Sequence, residues 1–73
     1  MDKKEKKILQ PHQQRVVEEY DQVMERKQKL FEFIEVPNPI YPTLPPDEKK
    51  DLKDQWIAMT EYSQCLKRRI ERF

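Results

Sequence analysis

A single histidine, a single cysteine and a few basic side chains are the residues of this sequence that could do chemistry. His12 and Cys65 have no second copy, so they cannot supply an internal disulfide or the four ligands of a structural zinc site. The chain also lacks a Ser/His/Asp constellation and paired carboxylates on an apolar cleft. The sequence therefore predicts a protein that is not an enzyme, holds no metal and uses no cofactor.

Lys27 is notable because it interrupts an apolar helical face. It lies four residues after Val23 and three residues before Leu30, so the apolar spacing runs directly through it. In one interpretation its stem covers apolar surface while its ammonium reaches water. In the other, the ammonium is held at a boundary between subunits, where it meets the phosphate of a ligand. The spacing leaves both interpretations open.

Further polar and basic residues lie at the ends of the two predicted helices. His12 begins the first helix and either faces solvent or stacks on a nucleobase. Gln13 and Arg15 follow it in the first turn, where free backbone N–H groups favour anions. Arg68 and Arg69 end the second helix, where they either complement the helix dipole or contact a bound phosphate. The residue types alone do not decide between these roles.

Glycine is absent from the chain. P-loops and dinucleotide-binding turns need glycine, because the backbone must approach a phosphate closely. Any phosphate bound by this protein must therefore be met by side chains or by helix N-termini. The aromatic residues Tyr20, Trp56 and Tyr62 are interpreted as core or interface packing rather than as base-stacking groups.

Length and charge narrow the class of protein further. The chain has 73 residues, with 15 lysines and arginines against 14 acidic residues and a formal net charge of +1. Such a balance gives little attraction for DNA, RNA or an anionic membrane. No apolar stretch is long enough to span a membrane, and the N-terminus lacks the apolar run of a secretory signal. The cytoplasm of the producing cell is the expected location.

A domain of this size is expected to self-associate. One hydrophobic core at this length supplies only about 3–5 kcal/mol, and small domains gain the rest from disulfides, metals or oligomerisation. The lone cysteine and lone histidine exclude the first two within one chain. A homo-oligomer is therefore predicted.

The apolar periodicity predicts an all-α fold, an antiparallel two-helix hairpin. Helices are expected over about 12–35 and about 46–73, joined by a proline-rich connector over 36–46 that is extended and stiff. Residues 1–10 form a short lysine-rich segment, which is either a frayed tail or a short helix. Residues 11–73 form the helical hairpin domain.

Several stretches of the chain resemble a known family. They are PHQQRVVEEY at 11–20, LFEFIE at 30–35, LPPDEKKDL at 44–52 and QWIAMTEYSQCLKRRIERF at 55–73. The combination of HQQRV, Q-x-x-x-M-x-x-Y-S and a terminal R-I-x-x-F is similar to small phage proteins with a helical hairpin domain. That domain is shared by anti-CBASS and anti-Thoeris nucleotide sponges, and the shorter, anti-CBASS type fits this chain better.

The resemblance implies a phage-encoded inhibitor of host CBASS immunity that acts in the cytoplasm of the infected bacterium. Members of the family look like homohexamers that bind cyclic dinucleotide and cyclic trinucleotide messengers without degrading them. The implied partners are thus other copies of the chain and cyclic oligonucleotides, with no DNA, RNA or membrane. Sequestration would keep the host effector from being activated.

The resemblance also implies roles for particular residues. The cyclic dinucleotide pocket would use the ring of His12 to stack on a base and Lys27 to meet phosphate, with Gln13 and Arg15 nearby. In the separate cyclic trinucleotide pocket, phosphate contacts would come from the pair at 68–69, Arg68 or Arg69.

Other functions are compatible with the composition. A helical adaptor or an antitoxin-like protein would use its apolar stripe to bind another protein. A small nucleic-acid-binding regulator is disfavoured by the near-neutral charge. An enzyme that cleaves the cyclic messenger would differ from a sponge in that the ligand could not be recovered intact.

Overall fold

The computed structural model describes residues 8–73, which fold into two α-helices. The first helix, α1, spans Pro11–Glu35, and the second, α2, spans Pro46–Glu71. A short 3-10 helix, Tyr41–Thr43, lies between them. The lysine-rich segment predicted for the N-terminus lies, over residues 1–7, outside the described part of the chain.

Both helices begin at a proline, whose missing N–H is not needed in the first turn. In α1 the backbone N–H of Gln10 donates to Oε1 of Gln13 at 2.9 Å, so the Gln13 side chain helps to cap the N-terminus of the helix. In α2 the acidic residues Asp47 and Glu48 occupy the first turn, where the helix dipole favours negative charge. These terminal residues explain why the helices start where they do.

The two helices pack against each other as an antiparallel hairpin. Val16 and Val23 of α1 and Leu66 of α2 form the buried core within the described residues. The partly buried residues packed against it are Tyr20, Met59, Ile70 and Phe73. Nearer the connector, Phe31 contacts Trp56 with ring centroids 6.1 Å apart. The all-α hairpin predicted from the apolar periodicity is confirmed.

Asn38 organises the connector, which is folded rather than extended throughout. Its Nδ2 donates to the carbonyl oxygens of Phe33 at 2.8 Å and Val36 at 3.0 Å. Its Oδ1 accepts from the backbone N–H groups of Ile40 at 3.0 Å and Tyr41 at 2.8 Å. Asn38 thus joins the end of α1 to the 3-10 helix. An asparagine side chain can replace backbone hydrogen bonds in a turn, so the proline-rich connector includes the short 3-10 helix Tyr41–Thr43.

Exposed ion pairs lie on the outer faces of the helices. Lys29 pairs with Glu25 at 3.3 Å, and Lys50 pairs with Asp54 at 2.6 Å, each one helical turn apart. The hydrogen bond and negative charge of Asp54 raise the pKa of Lys50 above its ordinary value. Such exposed pairs contribute little to stability, because water screens them.

The hairpin is a rod with a small core. Its Cα radius of gyration is 16.5 Å, whereas a compact domain of this length would have a radius of about 11 Å. Large apolar side chains remain exposed on the flanks, including Phe31 at 43% and Ile57 at 50%. Neither helix combines the length and the hydropathy that crossing a membrane would require.

Candidate ligand-binding residues

Lys27 lies on the seam between the two helices, as its position in the apolar stripe predicts. Its side chain is half-buried, and its Nζ lies 5.0 Å from the centroid of the Trp56 ring. An ammonium over an aromatic face is attracted by the ring quadrupole. Lys27 is therefore neither a free surface lysine nor a fully buried one. Its charge is held against α2.

An open groove follows this seam beside Lys27. It is lined by Met24, Lys27, Gln28, Phe31 and Trp56. The neighbouring groove shares Phe31 and Trp56 with it and adds Ile34, Glu35, Lys53 and Ile57. In the groove beside Lys27, the cation, the aromatic rings and the amide are groups that can bind a nucleotide, since phosphate needs a donor and a base needs an apolar face.

The other residues predicted for the dinucleotide pocket lie at the far end of α1. His12 and Arg15 are exposed, whereas Gln13 is half-buried and accepts the Gln10 N–H described above. Among residues 8–73, neither His12 nor Arg15 makes a side-chain hydrogen bond or an ion pair with another described residue. Their charge and ring are therefore available to a ligand, while Gln13 already has a structural partner.

Arg68 and Arg69 lie in the last turn of α2, and both are exposed. Nη2 of Arg68 donates to Sγ of Cys65 at 3.2 Å. This contact is a weak one, since sulfur is a poor acceptor, so it leaves most of the guanidinium donors unused. In an antiparallel hairpin this end of α2 lies beside the start of α1. The two arginines are therefore at the same end of the rod as His12 and Arg15.

A single chain does not bring all the predicted residues together. His12 and Lys27 both belong to α1 and are separated by about 22 Å along its axis, at about 1.5 Å per residue. A pocket that uses both side chains must take them from different copies. Among the described residues there is no cluster of three or more His, Cys, Asp and Glu side chains that could hold a metal ion.

A family model described as Sequestin matches residues 10–72. The chain belongs to the Sequestin family. The match spans both helices and the connector, and therefore includes Lys27, the groove beside it and the arginine pair of α2. Sequestin is the family of anti-CBASS and anti-Thoeris nucleotide sponges, so the resemblance drawn from the sequence motifs is confirmed.

A curated relative of this Sequestin protein comes from Enterobacteria phage T4. It is described as an uncharacterized 7.5 kDa protein in the denB-rIIB intergenic region. The two are 39% identical over 62 residues, which cover 85% of this chain and 94% of the relative. No solved structure matches the chain.

Trp56 lies near the predicted site and makes a contact that the sequence does not predict. Its interpretation as packing is consistent with its half-buried position between the helices. Its ring also contacts Lys27 and borders both grooves of this Sequestin protein. The contact depends on the register of the hairpin, which places Lys27 opposite Trp56. The spacing of residues within either helix does not predict that register.

Proposed function

We propose that this Sequestin protein is a phage-encoded inhibitor of host CBASS immunity. It binds cyclic dinucleotide messengers, and cyclic trinucleotide messengers at a separate place, and holds them without degrading them. Its place of action is the cytoplasm of the infected bacterium. The observation that carries the proposal is the match of residues 10–72 to a family of nucleotide sponges.

The position of Lys27 supports the dinucleotide part of the proposal. Its ammonium supplies the positive charge for a phosphate and lies in a groove that includes Phe31 and Trp56. A cyclic dinucleotide carries two phosphates and two bases, so two copies of the groove related by a two-fold axis would suit it. His12 of another copy then stacks on a base, with Gln13 and Arg15 beside it.

Self-association belongs to the same proposal, and the resemblance makes the assembly a homohexamer. Since His12 and Lys27 are about 22 Å apart on one helix, a pocket containing both is complete only between copies. The exposed apolar side chains on the flanks, among them Phe31 and Ile57, supply surface for such contacts.

Arg68 and Arg69 are proposed for the trinucleotide pocket. Their guanidinium groups are exposed at the end of α2, far from Lys27. A guanidinium can donate two parallel hydrogen bonds to one phosphate, and copies brought together by symmetry would multiply these donors. The two ligand classes therefore use different residues, and the arginine pair is separated from Lys27 along the rod.

Equilibrium dialysis followed by ligand recovery tests the proposal. The purified protein is dialysed against a cyclic dinucleotide, then heat-denatured, and the released ligand is quantified by chromatography. A sponge retains the ligand at a fixed ratio per chain and returns all of it chemically intact. Recovery of linear dinucleotide or mononucleotide would identify an enzyme instead.

A helical adaptor or antitoxin-like protein is the second candidate. It is favoured by the apolar side chains at the connector end, where Val36 is 54% exposed and Ile40 is 57% exposed. Such a protein would retain no cyclic nucleotide in the dialysis experiment. Its activity would also be unaffected by replacing Lys27, which lies well inside the hairpin seam rather than at its tip.

A further inference from the structure

Trp56 lies where it can control the position of the Lys27 ammonium. The distance from Nζ of Lys27 to the centroid of the Trp56 ring is 5.0 Å. Phe31 contacts the same indole, with a centroid separation of 6.1 Å and an angle of 41° between the ring planes. The indole is thus held between α1 and α2, and it presents a face to the cation.

A lysine side chain needs such a restraint to act at a defined place. Its four-carbon stem has many rotamers, and an ammonium on a groove edge is strongly hydrated and can turn outward into water. An aromatic face within about 6 Å attracts the ammonium and favours the rotamers that keep it over the groove. Among aromatic side chains tryptophan provides the strongest attraction of this kind.

Hydrogen bonding by the indole nitrogen does not explain why a tryptophan occupies this position. Nε1 of Trp56 is buried and has no hydrogen-bond partner within the described chain. A buried N–H without a partner is unfavourable, and phenylalanine or leucine would fill this part of the seam without that cost. What tryptophan adds over these residues is the large electron-rich face that meets Lys27.

We infer that Trp56 is a positioning residue for Lys27. Its ring keeps the ammonium over the groove formed by Met24, Gln28 and Phe31, where a ligand phosphate can accept hydrogen bonds from it. This inference rests on the proposed function for the identity of the ligand. The restraint of Lys27 itself exists in the free protein and can be measured there.

A double-mutant cycle tests whether Trp56 acts through Lys27. The variants are Trp56→Leu, Lys27→Met and the double substitution, with Trp56→Phe as a variant that keeps a ring. Their affinities are measured with cyclic di-AMP and cyclic di-GMP as probes. Trp56→Leu is expected to weaken binding about tenfold, as expected for loss of a cation–π contact at a partly desolvated site. In the Lys27→Met background the same substitution is expected to have no further effect.

Circular dichroism on each variant establishes that the helices are retained before affinities are compared. The Phe variant is expected to bind between the wild type and the Leu variant, because phenylalanine keeps a weaker cation–π face. Equal losses from Trp56→Leu in the presence and absence of Lys27 would show that Trp56 acts independently, and would overturn the inference.

Proton NMR of the free protein separates this inference from the proposed function. Ring currents of Trp56 are expected to shift the ε-methylene protons of Lys27 upfield, and Trp56→Leu is expected to abolish the shift. If the shift is present but neither probe binds, the proposed function fails for these ligands while the positioning of Lys27 stands. If the shift is absent in the wild type, the positioning role is refuted whatever binds.

Discussion

Lys27 is the charged residue that interrupts the apolar face of α1. Its stem lies along the hairpin seam, and its ammonium rests on the Trp56 face instead of extending away from the protein. An ammonium held over an aromatic ring has fewer rotamers to lose on binding than a freely moving one. Binding of a phosphate to Lys27 is therefore expected to cost less side-chain ordering than binding to an unrestrained lysine.

Replacing Lys27 with alanine is expected to weaken cyclic dinucleotide binding about tenfold to a hundredfold, as for loss of a hydrogen bond to a charged group. Lys29→Ala is the matched control, since Lys29 lies on the same helix but pairs with Glu25 on the outer surface. Titration calorimetry measures both variants. Wild-type affinity in Lys27→Ala would contradict the proposed dinucleotide site.

The arginine pair leads to a separate prediction. Replacing Arg68 and Arg69 together with alanine is expected to weaken cyclic trinucleotide binding by tenfold or more, as for loss of charge-assisted contacts, and to affect cyclic dinucleotides much less. The control replaces Lys67 and Arg72, which are exposed residues at the same end of α2 and carry the same total charge. Equal losses for both ligand classes would mean that there are not two distinct sites.

The sequence identifies candidate residues for the site but not the surroundings of each one. The interrupted apolar spacing identifies Lys27, because a charge on a buried face is evident within one helix. Its partner Trp56 belongs to the other helix, and the contact depends on the register between them, which no local pattern specifies. Likewise, the distance between His12 and Lys27 follows from helix geometry. Which copies of the chain would complete a pocket depends on the arrangement of the oligomer, which a single chain does not show.

The two helices follow from features that are local in sequence. Apolar residues recur at helical spacing, and prolines stand at both helix starts, so the elements could be predicted from the chain alone. The connector was harder to predict, because its shape depends on one amide side chain. The many prolines favour extended conformations, yet Asn38 satisfies four backbone groups and folds the segment back.

Substitution of Asn38 with alanine is expected to lower the free energy of unfolding by about 2 kcal/mol, since several side chain to backbone hydrogen bonds are lost together. Urea denaturation followed by circular dichroism, at one fixed protein concentration, measures the change. Asn38→Asp keeps an acceptor for the Ile40 and Tyr41 N–H groups but loses the donor. Its free energy of unfolding should therefore lie between those of the wild type and the alanine variant. An alanine variant as stable as the wild type would show that the prolines alone define the connector.

The whole molecule is a rod whose core is small for an independently stable domain. Only Val16, Val23, Leu66 and Ser63 are buried among the described residues. Fully burying one large aliphatic side chain contributes about 1.5–3 kcal/mol, so three apolar ones offset little of the entropy lost on folding. Association of several copies would add the apolar burial that one hairpin lacks.

Ile57→Glu is expected to disrupt this association, because it places a charge on an exposed apolar flank of α2. Gln64→Glu is the control, as it introduces the same charge at another exposed position of the same helix. Sedimentation velocity should give a mass several times the 9.1 kDa of one chain for the wild type and the control. The Ile57 variant should shift towards a single chain. A wild-type protein that sediments as a folded monomer at all concentrations would contradict the oligomer.

The claim that this Sequestin protein is a nucleotide sponge is tested most directly by isothermal titration with a panel of cyclic dinucleotides and cyclic trinucleotides. Since a sequestering protein acts through its affinity and abundance, saturable, tight binding of at least one messenger is expected, followed by its recovery intact. A folded protein that gives no heat signal and retains no ligand across the panel would contradict the sponge function, and would leave a protein-binding adaptor as the better explanation.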